Sequence, residues 1–139
     1  MNKYFPTEMK RLVKIPEIFD DCFLYFVEHK NHLPFSIKRV YFILKSHSKL
    51  SRGFHAHKST NQVLFCIQGS IKITIDDGKK RKDFLLDHPG TGLLIERMIW
   101  HEMSSFKDNT ILLVLASRIF DPRDYIRDYD EFLKFVHGQ

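Results

Sequence analysis

Two histidines one residue apart, His55 and His57, sit in the stretch RGFHAHKSTNQVLFCIQG (52–69) and carry this chain's clearest chemical signal. Side chains at i and i+2 of an extended strand share a face, so the two imidazoles stand side by side. With an unperturbed pKa near ~6.5, such rings can take up and return protons at neutral pH. His55 is the expected base, and His57 beside it would shuttle a proton or bind substrate. Gln62 follows five residues after the second histidine, and VLFCIQ then reads as a buried strand running to Gly69.

Other candidates fall on neighbouring segments. In FSIKRVYFIL (35–44), Phe35, Ile37, Arg39, Tyr41 and Ile43 share one face. An arginine on an otherwise apolar face is costly unless it meets a carboxylate or a ligand. Tyr41 beside it is a phenol able to donate a hydrogen bond to a developing oxygen charge. Arg52 opens the histidine segment, and Trp100, His101 and Glu102 stand together in WHEM (100–103).

Strands must position these groups. LVKIPEI (12–18) reads as a strand broken at Pro16, and DCFLYFVE (21–28) as a strand apolar on both faces. IKITIDDGKKRKDFLL (71–86) is a hairpin turning at Asp77-Gly78, and LLIERMIWHEM (93–103) and TILLVLAS (110–117) supply further strands. Such punctuation predicts an antiparallel sandwich or barrel. DPRDYIRDYDEFLKFV (121–136) reads as one C-terminal helix, with Asp121 as N-cap, Pro122 at the first helical position, and Ile126, Tyr129, Leu133 and Val136 at helical spacing.

A chain of 139 residues with 43% hydrophobic content and thirteen Phe predicts a single domain, 1–139, with a substantial core. No apolar run reaches the roughly 18 residues that would cross a bilayer, and MNKYFPTEMKRLVKI lacks the apolar centre of a signal peptide, so a cytoplasmic protein without a membrane partner is expected. Cys22 and Cys66 fit reduced thiols. The net charge of +5 suits an anionic partner. Nucleic acid is not expected: the cations are scattered, KKRK (79–82) lies at a hairpin tip, and no nucleic-acid-binding motif occurs.

The histidine spacing is similar to the second half of the first cupin motif, with Gln62 where metal-binding cupins carry an acid. The segments FSIKRVYFIL, RGFHAHK, WHEM, LAS (115–117) and DYIRDYDEF (124–132) together resemble the dTDP-4-keto-6-deoxyglucose 3,4-ketoisomerases over about residues 34–136. The resemblance implies an all-β cupin or jelly-roll sandwich with a C-terminal helix, and an enzyme making precursors of 3-amino-3,6-dideoxyhexoses for surface glycans. It implies His55, His57 and Tyr41 in catalysis, with no cofactor and no metal. Arg39 and Arg52 would hold the diphosphate, Trp100 would stack on thymine, and Gln62, His101 and Glu102 would complete the lining. It also implies a homodimer exchanging N-terminal strands from within 1–33. Two rivals remain: a metal-dependent cupin using His55, His57 and His101, and a non-catalytic cupin that binds nucleotide sugars.

Overall fold

The computed structural model describes residues 11–138. Its strands are β1 (Leu12–Lys14), β2 (Glu17–Phe19), β3 (Phe23–Tyr25), β4 (Arg39–Ile43), β5 (Arg52–His57), β6 (Gln62–Gln68), β7 (Ile71–Asp76), β8 (Arg81–Leu86), β9 (Thr91–Ile95), β10 (Trp100–Ser104), β11 (Ile111–Ala116) and β12 (Tyr125–Ile126). One helix, α1 (Tyr129–Val136), follows. Among the described residues two five-stranded sheets form, in the orders β1-β9-β6-β11-β4 and β12-β5-β10-β7-β8, and β2 pairs with β3 in a separate hairpin. Every pairing between these strands is antiparallel.

The core shows why the sheets face each other. Leu64 and Cys66 of β6, Leu93 and Ile95 of β9, and Leu112 and Val114 of β11 meet Ile71, Ile73, Ile75, Phe84, Leu86 and Met103 from the other sheet. The alternate residues Val63, Phe65 and Leu115 turn outward and are covered by Leu33 and Phe35, with Val13, Ile15 and Val27 alongside. Two-sided burial accounts for the unbroken apolar run VLFC in β6. The outer face of the second sheet buries Ala56, Trp100 and Ile126 against Phe132 of α1. This is the expected all-β cupin sandwich with a C-terminal helix.

Two segments depart from the sequence-based expectation. The stretch 21–28 forms only the three-residue β3, and its hairpin with β2 leaves Ile18, Phe19, Phe23 and Leu24 exposed. The stretch 121–136 is not one helix. Asp121 caps a short 3₁₀ turn at Pro122–Asp124, with its side chain accepting from the Arg123 N–H. The chain then extends as β12 along β5, and α1 starts only after Asp128, whose carboxylate accepts from the Glu131 N–H at 2.9 Å. An Asp-x-x-Glu capping pattern marks this second start. Pairing with the exposed edge of β5 satisfies backbone groups that an extra helical turn would leave open.

Candidate active site

One end of the space between the sheets is open. A cavity of about 350 Å³ lies there, lined by Arg39, Tyr41 and Ile43 of β4, Arg52, Gly53 and His55 of β5, Met103 of β10, and Phe120, Tyr125 and Arg127. That volume is within the range of small-molecule sites. Parity along β4 sorts its residues: Arg39, Tyr41 and Ile43 turn inward, whereas Val40, Phe42 and Leu44 are exposed outside.

Three imidazoles converge behind this cavity. The His55 ring lies 4.9 Å from that of His57 and 4.6 Å from that of His101, and each residue offers one nitrogen within 4.8 Å of the others'. Each Nδ1 meets an acceptor: the Gly53 carbonyl for His55 at 3.0 Å, the Asp124 carboxylate for His57 at 3.1 Å, and the Ile99 carbonyl for His101 at 3.3 Å. A carbonyl can only accept, so Nδ1 carries the proton in His55 and His101, and each Nε2 keeps its lone pair.

Burial pushes the His55 imidazole down to about 4, with neighbouring His57 adding to the effect. His57 is also lowered, again mainly by burial, against the opposing pull of Asp124. His101, wholly enclosed, is driven well below the ordinary value for the same reason. All three rings are therefore neutral at pH 7. Only His55 among them lines the cavity; His57 lies behind it, 2% exposed, with an Nε2 that has no hydrogen-bond partner among the described residues.

Asp124 anchors this rear wall. Besides His57, it accepts from the Ser59 N–H at 2.7 Å and the Thr60 hydroxyl at 2.5 Å. Burial opposes its ionisation, but these donors together hold its carboxyl below the usual range. A carboxylate so placed keeps the His57 ring oriented and would stabilise an imidazolium there. Tyr125 packs on both histidines, with ring centroids 4.9 Å from His55 and 4.6 Å from His57, and the Arg127 guanidinium lies over the Tyr125 ring, 4.5 Å from its centroid. Sequence reasoning missed Asp124, Tyr125 and Arg127 because it assigned them to the helix.

Tyr41 donates its hydroxyl proton to Gln62 Oε1 at 2.6 Å across the floor of the pocket. Burial raises the phenol to about 12, so it remains protonated at any working pH. Gln62 is fully buried and spends its oxygen on this tyrosine.

The structure thus gathers His55, His57, His101, Tyr41, Gln62, Arg39 and Arg52 at one end of the sandwich. Trp100 and Glu102 do not join them, which corrects the expected lining. Residues 100 and 102 alternate with His101 along β10 and so face the opposite side of the sheet. There the Trp100 indole donates to Glu102 at 2.8 Å and packs on Tyr129 and Phe132, while Glu102 pairs with Arg81.

The three imidazoles, each held through an Nδ1 contact, offer one nitrogen apiece to a donor set that suits a borderline divalent ion. A bound ion would supply Lewis-acid polarisation of a substrate oxygen. The position that carries an acid in metal-binding cupins is here Gln62, already bonded to Tyr41.

Facing antiparallel sheets with histidines gathered at an open end define a cupin-type pocket protein. Residues 7–137 match the family model described as FdtA: WxcM-like, C-terminal, and the chain belongs to that family. It is 44% identical over 110 residues, 79% of each chain, to the TDP-4-oxo-6-deoxy-alpha-D-glucose-3,4-oxoisomerase of Aneurinibacillus thermoaerophilus. A 3,4-ketoisomerase from Helicobacter canadensis superposes with TM-score 0.89 at 39% identity, covering 91% of this chain and 96% of that one. The sugar 3,4-ketoisomerase QdtA from Thermoanaerobacterium thermosaccharolyticum, in complex with TDP, superposes with TM-score 0.88 at 41% identity, over 91% and 93% of the two chains.

Proposed function

We propose that the protein is a 3,4-ketoisomerase that converts dTDP-4-keto-6-deoxy-D-glucose to a dTDP-3-keto-6-deoxyhexose. The observation that carries this reading is the neutral His55 imidazole on the cavity wall, backed by His57 and Asp124 and facing a mouth with three arginines. The Aneurinibacillus relative is named for TDP-4-oxo-6-deoxy-alpha-D-glucose, and the Thermoanaerobacterium sugar ketoisomerase holds TDP.

The chemistry is a proton relocation. His55 Nε2 takes the C3 proton; the released pair forms the C3–C4 double bond, and the C4 carbonyl oxygen becomes an alkoxide. A proton then reaches C4, the C3 hydroxyl proton passes to the C4 oxygen, and the carbonyl reforms at C3. No electron leaves the substrate, so no oxidant is required. Tyr41 is the donor to the developing oxygen charge and must exchange its Gln62 bond for the substrate. His57, paired with Asp124, accepts a proton from the His55 side and holds it between the two halves of the reaction. Arg39, Arg52 and Arg127 bind the diphosphate as charge-assisted donors; the buried Arg39 Nε, which has no hydrogen-bond partner among the described residues, is one such donor. Phe120 and Tyr125 take the stacking role once expected of Trp100.

We also infer a homodimer, and the apolar surfaces support it. The outer face of edge strand β4 exposes Val40, Phe42 and Leu44, and the β2–β3 hairpin exposes Ile18, Phe19, Phe23 and Leu24. Apolar edges of this kind invite pairing with a second copy. Residues 1–10 of the expected exchanging segment lie outside the described residues. No helix among the described residues is long and apolar enough to cross a membrane, and the small charged substrate fits a cytoplasmic enzyme serving surface-glycan synthesis.

The test is to incubate the protein with dTDP-4-keto-6-deoxyglucose and follow the 3-keto isomer by NMR. Conversion is expected. Tight dTDP binding without conversion would favour the binding-protein reading instead. Light scattering at assay concentration checks the dimer: a fully active monomer would contradict it.

A further inference from the structure

Arg52 and His55 are three residues apart on one strand, and simple alternation would send them to opposite faces. Both nevertheless line the cavity. The pairing of β5 with β10 explains this. His55 lies opposite His101, Gly53 opposite Glu102 and Arg52 opposite Met103, so Phe54 has no partner and the register breaks between His101 and Glu102. Cross-strand partners share a face, so Arg52 follows Met103 and His55 follows His101 to the inside. Phe54 is the extra residue of a bulge and holds φ +57°, uncommon for a bulky side chain.

Gly53 makes the bulge possible. Its φ is +88°, and a Cβ there would lie 2.8 Å from the backbone oxygen of His101. Both the dihedral and the space exclude a side chain. The bulge also turns the Gly53 carbonyl back onto Nδ1 of His55 at 3.0 Å, the contact that leaves Nε2 free as the basic nitrogen.

We infer that the Gly53–Phe54 bulge is a positioning device with two separable outputs: its added residue turns Arg52 into the pocket to bind the diphosphate, and its carbonyl fixes the tautomer of His55. This rests on the proposed isomerase reading. It makes an unusual demand of mutants, because deleting Phe54 restores a regular register in which Arg52 and Gly53 keep their partners on β10. Arg52 then stays inside, while the two-residue reach from the Gly53 carbonyl to His55 is lost. Adding one methyl at Gly53 instead irons out the bulge and turns Arg52 to solvent.

The experiment compares Arg52→Ala, Gly53→Ala, the Phe54 deletion and the Arg52→Ala/Gly53→Ala double variant, measuring dTDP affinity by calorimetry together with kcat and KM. Arg52→Ala should weaken dTDP on the order of tenfold or more, the loss of one charge-assisted contact. Gly53→Ala should match it, and the double variant should be no worse than either single. The deletion should bind dTDP within about threefold of the parent yet lose kcat on the order of tenfold or more, with its pH profile displaced. A deletion as weak for dTDP as Arg52→Ala, or one that does not fold, overturns the inference. So does Gly53→Ala with parental affinity. Should Gly53→Ala fail to fold, the deletion still decides. If Arg52→Ala leaves dTDP binding unchanged, the diphosphate assignment fails; if the parent does not bind dTDP at all, the isomerase reading fails.

Discussion

The two ends of the space between the sheets are built from the same strands but filled in opposite ways. Toward β7 and β8 it is closed by Ile71, Ile73, Ile75, Phe84 and Leu86, at most 9% exposed. Toward β4, β5 and β12 the corresponding inward positions carry arginine, tyrosine and histidine, and a cavity remains. The closed end gains free energy from every apolar area it buries. The open end spends part of that gain holding neutral imidazoles and unpaired donors out of water. Stability and chemistry should therefore respond to different substitutions.

The largest expected effect breaks the open end alone. His55→Asn should lower turnover by about 10²–10⁴, the usual loss for a positioned base, with dTDP affinity nearly kept. Retention of more than a tenth of the activity would move the base to another residue, first to His57. At the closed end Ile73→Ala should cost about 2–5 kcal/mol of stability through the cavity it leaves, read by denaturant unfolding. Its kcat should change little; a loss of kcat comparable to that of His55→Asn would show that the two ends are coupled.

Asp124→Asn sharpens the contrast, because it removes the charge facing His57 but keeps the shape. Turnover should fall roughly ten- to a hundredfold, the range for a hydrogen bond to a charged group, while KM moves little. A large KM effect with unchanged kcat would give Asp124 a structural role only.

Acidity separates the ends as well. Burial places His55 at about 4, below the ~6.5 of an unfolded chain, so the folded state binds fewer protons in that window. Stability should fall as pH drops from about 6.5 toward 4. The basic form of His55 persists through the same window, so the acid limb of kcat/KM should lie well below 6.5. An acid limb at the ordinary histidine value would contradict the desolvated pocket.

The smallest effect expected is that of a chelator. Gln62 takes the place of an anionic ligand and is bonded to Tyr41, so dialysis against a strong chelator should leave activity unchanged. Loss of activity restored by one divalent ion would make His55, His57 and His101 ligands, as their separation within 4.8 Å permits.

Much of this division was legible in residue order. The i, i+2 rule put His55 with His57 and Arg39 with Tyr41, and turn residues located most strands. The same rule, applied to β10, would have set Trp100 and Glu102 apart from His101, but adjacency in WHEM suggested a common lining. The segment 124–127 was hidden for a different reason. Ile126 fits the spacing of α1 and packs in the same outer cluster, so periodicity cannot separate β12 from the helix. Only the Asp128–Glu131 cap marks the boundary. The inward turn of Arg52 depends on a bulge that alternation cannot predict.

In the proposed reaction the open end moves a proton between C3 and C4 of a hexose. Incubating the protein with dTDP-4-keto-6-deoxyglucose in D2O and following both carbons by NMR would show it. The C3 proton signal should disappear while a 3-keto product grows with its new hydrogen at C4, and neither change should occur with His55→Asn. A C3 proton that persists unexchanged while dTDP is bound would contradict that reaction.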